Sequence, residues 1–222
     1  DPATVFSSID QGGRYAYGNQ PRIALWNLTR LAEALLPLLN PEQEAAIAQA
    51  QEVLGAFAPR FESAYHAGLR RKLGLAAERE GDAALAGDLL NLMAENQADF
   101  TLTFRHLADA AAGPDSHEAV RNLFVNPQAY DAWAARWRER LGQESQDSAL
   151  RQGAMRAANP AFIPRNHRVE AMIQAAVQRD DFAPFEELLR VLSRPYEDQP
   201  EFAAYAAPPE PHERVRATFC GT

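Results

Sequence analysis

Residues 13–28 read GRYAYGNQPRIALWNL and join a glycine- and tyrosine-rich loop to a helical segment. Glycine reaches backbone angles that other residues avoid, which is typical of an irregular loop. Proline is favoured in the first turn of a helix, where its missing N–H costs nothing. The stretch therefore predicts a loop over residues 1–20 and a helix from about Pro21. Loops of this length are usually functional or disordered, and three aromatic residues in this one argue against disorder. A loose N-terminal arm is the alternative.

The composition limits the classes of function. The chain has 222 residues and a formal net charge of −8, so it can bury a sizeable core and is unsuited to binding nucleic acid or an anionic membrane. No apolar run approaches the roughly 20 residues of a membrane span. A single cysteine excludes an internal disulfide and is typical of a reducing compartment, so we expect a cytoplasmic protein. The chain begins Asp-Pro, without a start methionine or a signal peptide, so we expect it to be part of a longer protein.

Helix-forming residues dominate the sequence. Leu and Ala are abundant and strand-favouring residues are scarce, and no segment shows the sustained alternation of a half-buried strand. We therefore expect a mainly α fold. It comprises a loop over residues 1–20, a single helical domain over residues 21–222, and a tail from Pro195 that its prolines keep extended.

Local signals predict where several helices begin and end. The first helix is expected from Pro21 to about Pro37, with leucines spaced as in a helix that is buried on several sides. Asn40 and the proline after it predict the start of the next helix, and Pro59 predicts a kink or a break. Further helix starts are predicted at four polar residues that can cap a helix: Asp82, Asp99, Asn126 and Asn166.

Few residues have the spacing of a catalytic or metal site. Trp133 and Trp137 lie one turn apart in the clearest amphipathic segment, which favours packing in a core over stacking on a ligand. Glu62 and His66 lie one turn apart without a third ligand, so a surface pair is expected rather than a metal site. The sequence contains no phosphate-binding glycine loop and no kinase catalytic or metal loop. We therefore predict no catalytic residue and no metal ligand in this chain.

Several motifs resemble the selenoprotein O family. The stretch at residues 13–28 resembles the segment that follows the metal-binding loop of that family. The other matching motifs are Asp99-Phe100-Thr101 with Phe104-Arg105, Met155 with Asn159-Pro160, Arg165-Asn166 with Glu170, Arg194-Pro195-Tyr196 with Gln199-Pro200, and Cys220. By the order and spacing of these motifs the chain is identified as a member of the family.

The resemblance implies a function for the longer protein. Members are protein-kinase-like proteins that use ATP and Mg²⁺ to transfer AMP to hydroxyl groups of proteins, so the implied partners are protein substrates. The implied fold of this chain is the helical C-terminal lobe, preceded by an activation-segment-like loop over residues 1–20. In the family the nucleotide and metal ligands lie upstream of Asp1, so the chain alone is expected neither to bind ATP·Mg²⁺ tightly nor to transfer AMP. A non-catalytic helical interaction module and a true kinase are the alternatives.

The resemblance also suggests a substrate-facing surface in the first loop. Arg14, Tyr15 and Gln20 are the candidates for this surface or for the activation segment. An arginine at such a position contacts a phosphate, steers a protein substrate or pairs with a carboxylate that fixes the loop. In contrast, Asn159-Pro160 and Arg165-Asn166 are expected to have structural roles.

Cys220 is the candidate for redox chemistry. In the family this position holds a redox-active cysteine or selenocysteine, which in some members pairs with a cysteine of the activation segment. Phe6 stands at that second position here and departs from the pattern. We therefore expect Cys220 to be a free, accessible thiol, and an inert tail residue is the alternative.

Overall fold

The computed structural model describes residues 1–113 and 116–219. Within these ranges the chain forms helices, turns and irregular segments but no strand, so the predicted mainly α fold is confirmed. None of the described helices combines the length and the apolar character needed to cross a membrane. The helices are α1 (Gln20–Leu39), α2 (Gln43–Gly55), α3 (Phe57–Lys72), α4 (Asp82–Glu95), α5 (Phe100–Ala110), α6 (His117–Arg121), α7 (Pro127–Leu141), α8 (Ser148–Ala158), α9 (Asn166–Arg179), α10 (Ala183–Leu192) and α11 (Ala203–Ala206).

The chain forms two compact units. The N-terminal unit comprises Asp1–Ala67 together with the end of the chain from Ala217, and the main unit comprises Gly68–Arg216. The boundary between them in the sequence falls within α3. The expectation of a single domain over residues 21–222 stays a prediction.

In the N-terminal unit, α1 is more exposed than its sequence predicts. Pro21 lies in its first turn, as expected, and the helix continues past Pro37 to Leu39. Ile23 is its one buried residue, whereas Leu31 and Leu38 are 54% and 81% exposed. The spacing of leucines indicates which residues share a face of a helix, but burial depends on whether another element packs on that face.

Two other ends of helices in this unit differ from the sequence-based prediction. Helix α2 begins at Gln43, and Asn40 does not cap it. Instead, Asn40 accepts the backbone N–H of Glu42 at 2.9 Å in the turn before the helix. The break expected at Pro59 occurs earlier, at Ala56, because Pro59 lies in the first turn of α3, where a proline costs little.

The main unit has a core of aromatic side chains from α7. Trp133 and Trp137 are 3% and 0% exposed, and their rings stack with centres 5.6 Å apart. Each indole N–H donates to a buried carbonyl, of Leu85 and of Leu73 respectively, at 2.9 Å. The polar part of both rings is therefore satisfied inside the core. The prediction that these tryptophans pack in the core is confirmed.

Helix caps in the main unit follow the sequence at two of the four predicted positions. Asp99 and Asn126 are the N-caps of α5 and α7, and each accepts the backbone N–H three residues later. The prediction for Asn166 is wrong by one residue, since Arg165 is the N-cap and Asn166 begins α9. Asp82 is likewise the first residue of α4 rather than its cap.

The tail is only partly extended. A short 3₁₀ turn at Pro200–Phe202 leads into α11, in a stretch with no proline between Pro200 and Pro208. The expectation of an extended chain is therefore wrong for this segment. Phe202 packs against a small apolar cluster that includes Phe162, from the connection between α8 and α9, and Val191 of α10.

Candidate functional site

The loop before α1 is folded around the carboxylate of Asp10. The two carboxylate oxygens accept the backbone N–H groups of Arg14 and Tyr15, each at 2.8 Å. At the start of α1, the Gln20 side chain donates from Nε2 to the carbonyl of Tyr15 at 2.5 Å. The structure therefore brings together the three loop residues suggested by the sequence, and hydrogen bonds within the loop hold them.

Arg14 attaches this loop to α1. Its guanidinium carbon lies 4.2 Å from the centre of the Trp26 ring and 5.7 Å from that of the Tyr15 ring. Such cation–π contacts are worth about 0.5–1 kcal/mol at exposed sites. Tyr15 and Trp26 are 44% and 46% exposed. Arg14, Tyr15 and Trp26 thus form a partly exposed patch on the N-terminal unit, here called the Arg14 surface.

A tyrosine pair adjoins the loop. Burial, the charge of Tyr17 and a hydrogen bond with Tyr17 together raise the pKa of the Tyr65 phenol to about 12. The Tyr65 hydroxyl is therefore protonated at neutral pH, and it can donate a hydrogen bond but cannot serve as a base.

In the main unit, Arg105 of α5 joins distant segments of the chain. Its side chain is buried, and Nη1 donates to the carbonyl oxygens of Arg156, Asn159 and Tyr196 at 3.2, 3.0 and 3.2 Å. Nη2 donates to the carboxylate of Asp198 at 2.5 Å. These five residues are called the Arg105 cluster.

Lys72 meets the same cluster from the end of α3. Asn159 is fully buried; its Oδ1 accepts from Lys72 Nζ at 3.1 Å, and its Nδ2 donates to the Lys72 carbonyl at 3.0 Å. The Lys72 ammonium also donates to the Ala158 carbonyl at 3.2 Å and lies 5.3 Å from the centre of the Phe104 ring. Burial lowers the pKa of Lys72. The contacts of Asn159 therefore tie the end of α8 to the end of α3.

Arg165 and Asp99 form a bidentate ion pair next to the start of α9. Arg165 Nη1 and Nη2 donate to the two carboxylate oxygens at 2.7 and 3.1 Å. Burial alone would raise the pKa of Asp99, but hydrogen bonds from Arg165 and from the Leu102 N–H outweigh it, so the pKa is lowered. The carboxylate is therefore ionised at neutral pH and caps α5 while it holds Arg165.

Some motif residues of the main unit thus meet through hydrogen bonds: Arg105 with Asn159 and Tyr196, and Arg165 with Asp99. The Arg105 side chain donates to the four partners named above. Sequence reasoning did not single out Lys72, Arg156 or Asp198. No local pattern could have shown them, because their partners lie more than 50 residues away along the chain.

The remaining site predictions stay open. Among residues 1–113 and 116–219, no group of three or more His, Cys, Asp or Glu side chains is placed to hold a metal ion. Cys220 lies outside the described residues, so its redox role stays a prediction. The substrate-facing role of Arg14, Tyr15 and Gln20 also stays a prediction.

Comparison with known proteins places the chain in a family. The sequence model described as protein adenylyltransferase SelO matches residues 1–193. Proteins named protein nucleotidyltransferase YdiU match the whole chain: one from Methylorubrum extorquens is 67% identical, one from Bradyrhizobium diazoefficiens 66%, and one from Rhodopseudomonas palustris 64%. The matched region is 46%, 45% and 45% of the length of these relatives, so the chain spans slightly less than half of each. The chain therefore belongs to the family of protein adenylyltransferase SelO.

Proposed function

We propose that this chain is the helical C-terminal part of a protein adenylyltransferase that transfers AMP from ATP to hydroxyl side chains of target proteins. The observation that carries the proposal is the family match over residues 1–193. Relatives named protein nucleotidyltransferase, matched over the entire chain, support it. The whole protein is proposed to have a protein-kinase-like fold. This chain contains a single cysteine, which favours a reducing compartment, and we propose the cytoplasm as the location.

The proposed chemistry is a nucleotidyl transfer. The hydroxyl oxygen of the target would attack the α-phosphorus of ATP, the bond to the α,β-bridging oxygen would break, pyrophosphate would leave, and the hydroxyl proton would pass to a base or to water. Mg²⁺ and fixed cations offset the charge that develops on the phosphates. In the family the ligands for nucleotide and metal precede the segment that this chain resembles, so we assign them to the half of the relatives that the chain does not span.

We assign the Arg14 surface to the protein substrate. Its backbone is fixed by Asp10 and Gln20, while Tyr15 and Trp26 keep nearly half of their surface exposed. Aromatic side chains and arginine are enriched where proteins bind one another. A fixed loop with these groups is suited to receive a segment of a target protein next to the nucleotide.

The test is a mass measurement on target proteins. The full-length protein is incubated with ATP·Mg²⁺ and a cell extract, and modified peptides are identified by mass spectrometry. We expect the mass of an adenylyl group on Ser, Thr or Tyr, and no transfer by residues 1–222 alone. Addition of a phosphoryl group would instead identify a true kinase, and no modification by the full-length protein would refute the proposal.

A second candidate function is a helical interaction module without nucleotide chemistry. It is favoured by an apolar groove of about 660 Å³ in the N-terminal unit. The groove is lined by side chains of α1, α2 and α3, among them Leu31, Leu35, Val53 and Phe57, and grooves of this kind accept amphipathic helices. This candidate would be favoured if the full-length protein transferred no nucleotide to any target but still bound partner proteins.

A further inference from the structure

The main unit contains a pocket of about 370 Å³ at the N-terminus of α9, here called the α9 pocket. Its polar walls come from Arg165, Asn166, His167 and Arg214, and Ile163 and Val215 contribute apolar surface. None of these six residues belongs to the Arg14 surface or to the Arg105 cluster. A volume of this size is within the range of small-molecule sites.

Two of the residues that line this pocket, Asn166 and His167, lie in the first turn of α9 and offer backbone donors. Helix α9 has 14 residues, and its N-cap Arg165 makes no capping hydrogen bond with its side chain. The Arg165 carbonyl accepts the N–H groups of Arg168 and Val169. In the described part of the chain, the N–H groups of Asn166 and His167 have no acceptor. The first turn of a helix with free N–H groups carries a partial positive charge and attracts anions.

Two buried side chains that line the pocket have nitrogens without a partner. His167 is 6% exposed, and its Nε2 has no hydrogen-bond partner among the described residues. Arg165 is 8% exposed, and its Nε is likewise unpartnered although Nη1 and Nη2 bind Asp99. These two nitrogens are able to bind a further group: Arg165 Nε donates, and His167 Nε2 donates in the tautomer in which it carries the ring proton.

The charges around the pocket favour an anion. The Arg165 charge is balanced by Asp99, and Arg168 has Glu213 at 4.0 Å. Arg214 is exposed and forms no ion pair with any residue in the described ranges. Arg214 is therefore the lining arginine whose charge no described carboxylate pairs with, and it adds to the positive helix terminus.

We propose that the α9 pocket binds a small phosphate-bearing molecule, with its phosphate group at the start of α9 and with Arg214 and His167 as side-chain donors. A phosphate group offers three oxygens and a charge of about −1.5 to −2 near neutral pH, which suits a site with several donors from different directions. The apolar surface of Ile163 and Val215 leaves room for a non-polar part of the ligand. The site is separate from the surface proposed for AMP transfer, because none of its lining residues belongs to the Arg14 surface.

The test uses inorganic phosphate and phenyl phosphate as probes. Each is titrated at constant ionic strength into the isotope-labelled full-length protein, and binding is followed by NMR at the amides of Asn166 and His167. We expect saturable shifts at these two amides. Tighter binding of phenyl phosphate would indicate an organic phosphate that uses the apolar wall, and equal binding would indicate that the phosphate group alone suffices.

Two substitutions make the test specific. Arg214→Gln removes an exposed charge-assisted donor and is expected to weaken phosphate binding about tenfold or more. Arg190→Gln is the matched control, since Arg190 lies exposed on α10 away from the pocket lining and its substitution removes the same charge; it should leave the affinity unchanged. The proposal is overturned by the absence of saturable shifts with both probes, or by equal affinity of Arg214→Gln and the unaltered chain. AMP transfer by the full-length protein is a separate readout that neither result decides.

Discussion

Arg105 illustrates how one residue can stabilise the main unit. It is 7% exposed and donates to three carbonyl oxygens besides its carboxylate partner. Arg105→Leu would leave these carbonyls without a donor at a cost of about 1 kcal/mol each, so we expect the free energy of unfolding to decrease by about 3 kcal/mol in denaturant titrations. The control is Arg194→Ala, because Arg194 pairs with Glu197 at side chains that are 52% and 60% exposed; its effect should stay below about 0.5 kcal/mol. If the two substitutions lowered the free energy of unfolding equally, the buried hydrogen bonds of Arg105 would not contribute the expected stability.

Arg14 is the residue whose change tests the proposed substrate surface. In the full-length protein, Arg14→Ala removes the contact with Trp26 and one positive group from this surface. We expect kcat/KM for the protein substrate to decrease about tenfold, which corresponds to about 1.4 kcal/mol, while KM for ATP is unchanged. Arg22→Ala, on the exposed side of the first turn of α1, is the charge-matched control. An unchanged kcat/KM in Arg14→Ala would remove Arg14 from substrate recognition.

At the scale of elements, replacing glycine by alanine is expected to lower stability at Gly74, after α3, and to raise it at Gly87, inside α4. Gly74 follows α3 with φ of +73°, and an added Cβ would lie 2.6 Å from Met155 Sδ of α8. The left-handed conformation alone costs about 1–2 kcal/mol for other residues, so we expect Gly74→Ala to lower the free energy of unfolding by at least about 2 kcal/mol. Gly87 lies inside α4, with nothing within 4 Å of an added Cβ. Gly87→Ala should raise stability by about 0.5–1 kcal/mol. Thermal and denaturant unfolding measure both, and a stabilising Gly74→Ala would contradict the close approach of α3 and α8.

At the scale of the whole molecule, three partly or fully buried histidines determine how stability is expected to depend on pH. Burial lowers the pKa of His106, His117 and His167 from the ordinary value of 6.5. Near and below pH 6.5 the unfolded chain therefore binds more protons than the folded chain. The stability that the neutral histidines contribute is complete above pH 6.5 and is lost as the pH falls through their lowered pKa values. We expect a lower Tm at about pH 5 than at about pH 7.5, well before most carboxylates titrate. NMR titration of the imidazole protons should give midpoints below 6.5, and a Tm that is constant or higher at about pH 5 would contradict the prediction.

The sequence alone determined the helical class, the family resemblance and those helix starts at which a side chain caps the backbone within three residues. Asp99 and Asn126 could be recognised as caps because a capping hydrogen bond spans three residues. Trp133 and Trp137 could be assigned to the core because a helix repeats every 3.6 residues and places both rings on one face. The one-residue error at Asn166 arises because Asn is a favoured cap and Arg is not, whereas the helix begins directly after Arg165, whose side chain binds Asp99 instead of capping.

Only the tertiary structure decided which polar residues meet and which apolar residues remain exposed. The partners of Arg105 lie 51 to 93 residues away along the chain, and His167 and Arg214 come from separate segments that line one pocket. Likewise, the leucines of α1 have the spacing of buried residues, yet Leu38 is 81% exposed. Local patterns report backbone conformation and the face on which a side chain lies. Contacts between distant segments depend on the path of the chain and on the packing of whole elements, which no short stretch of sequence encodes.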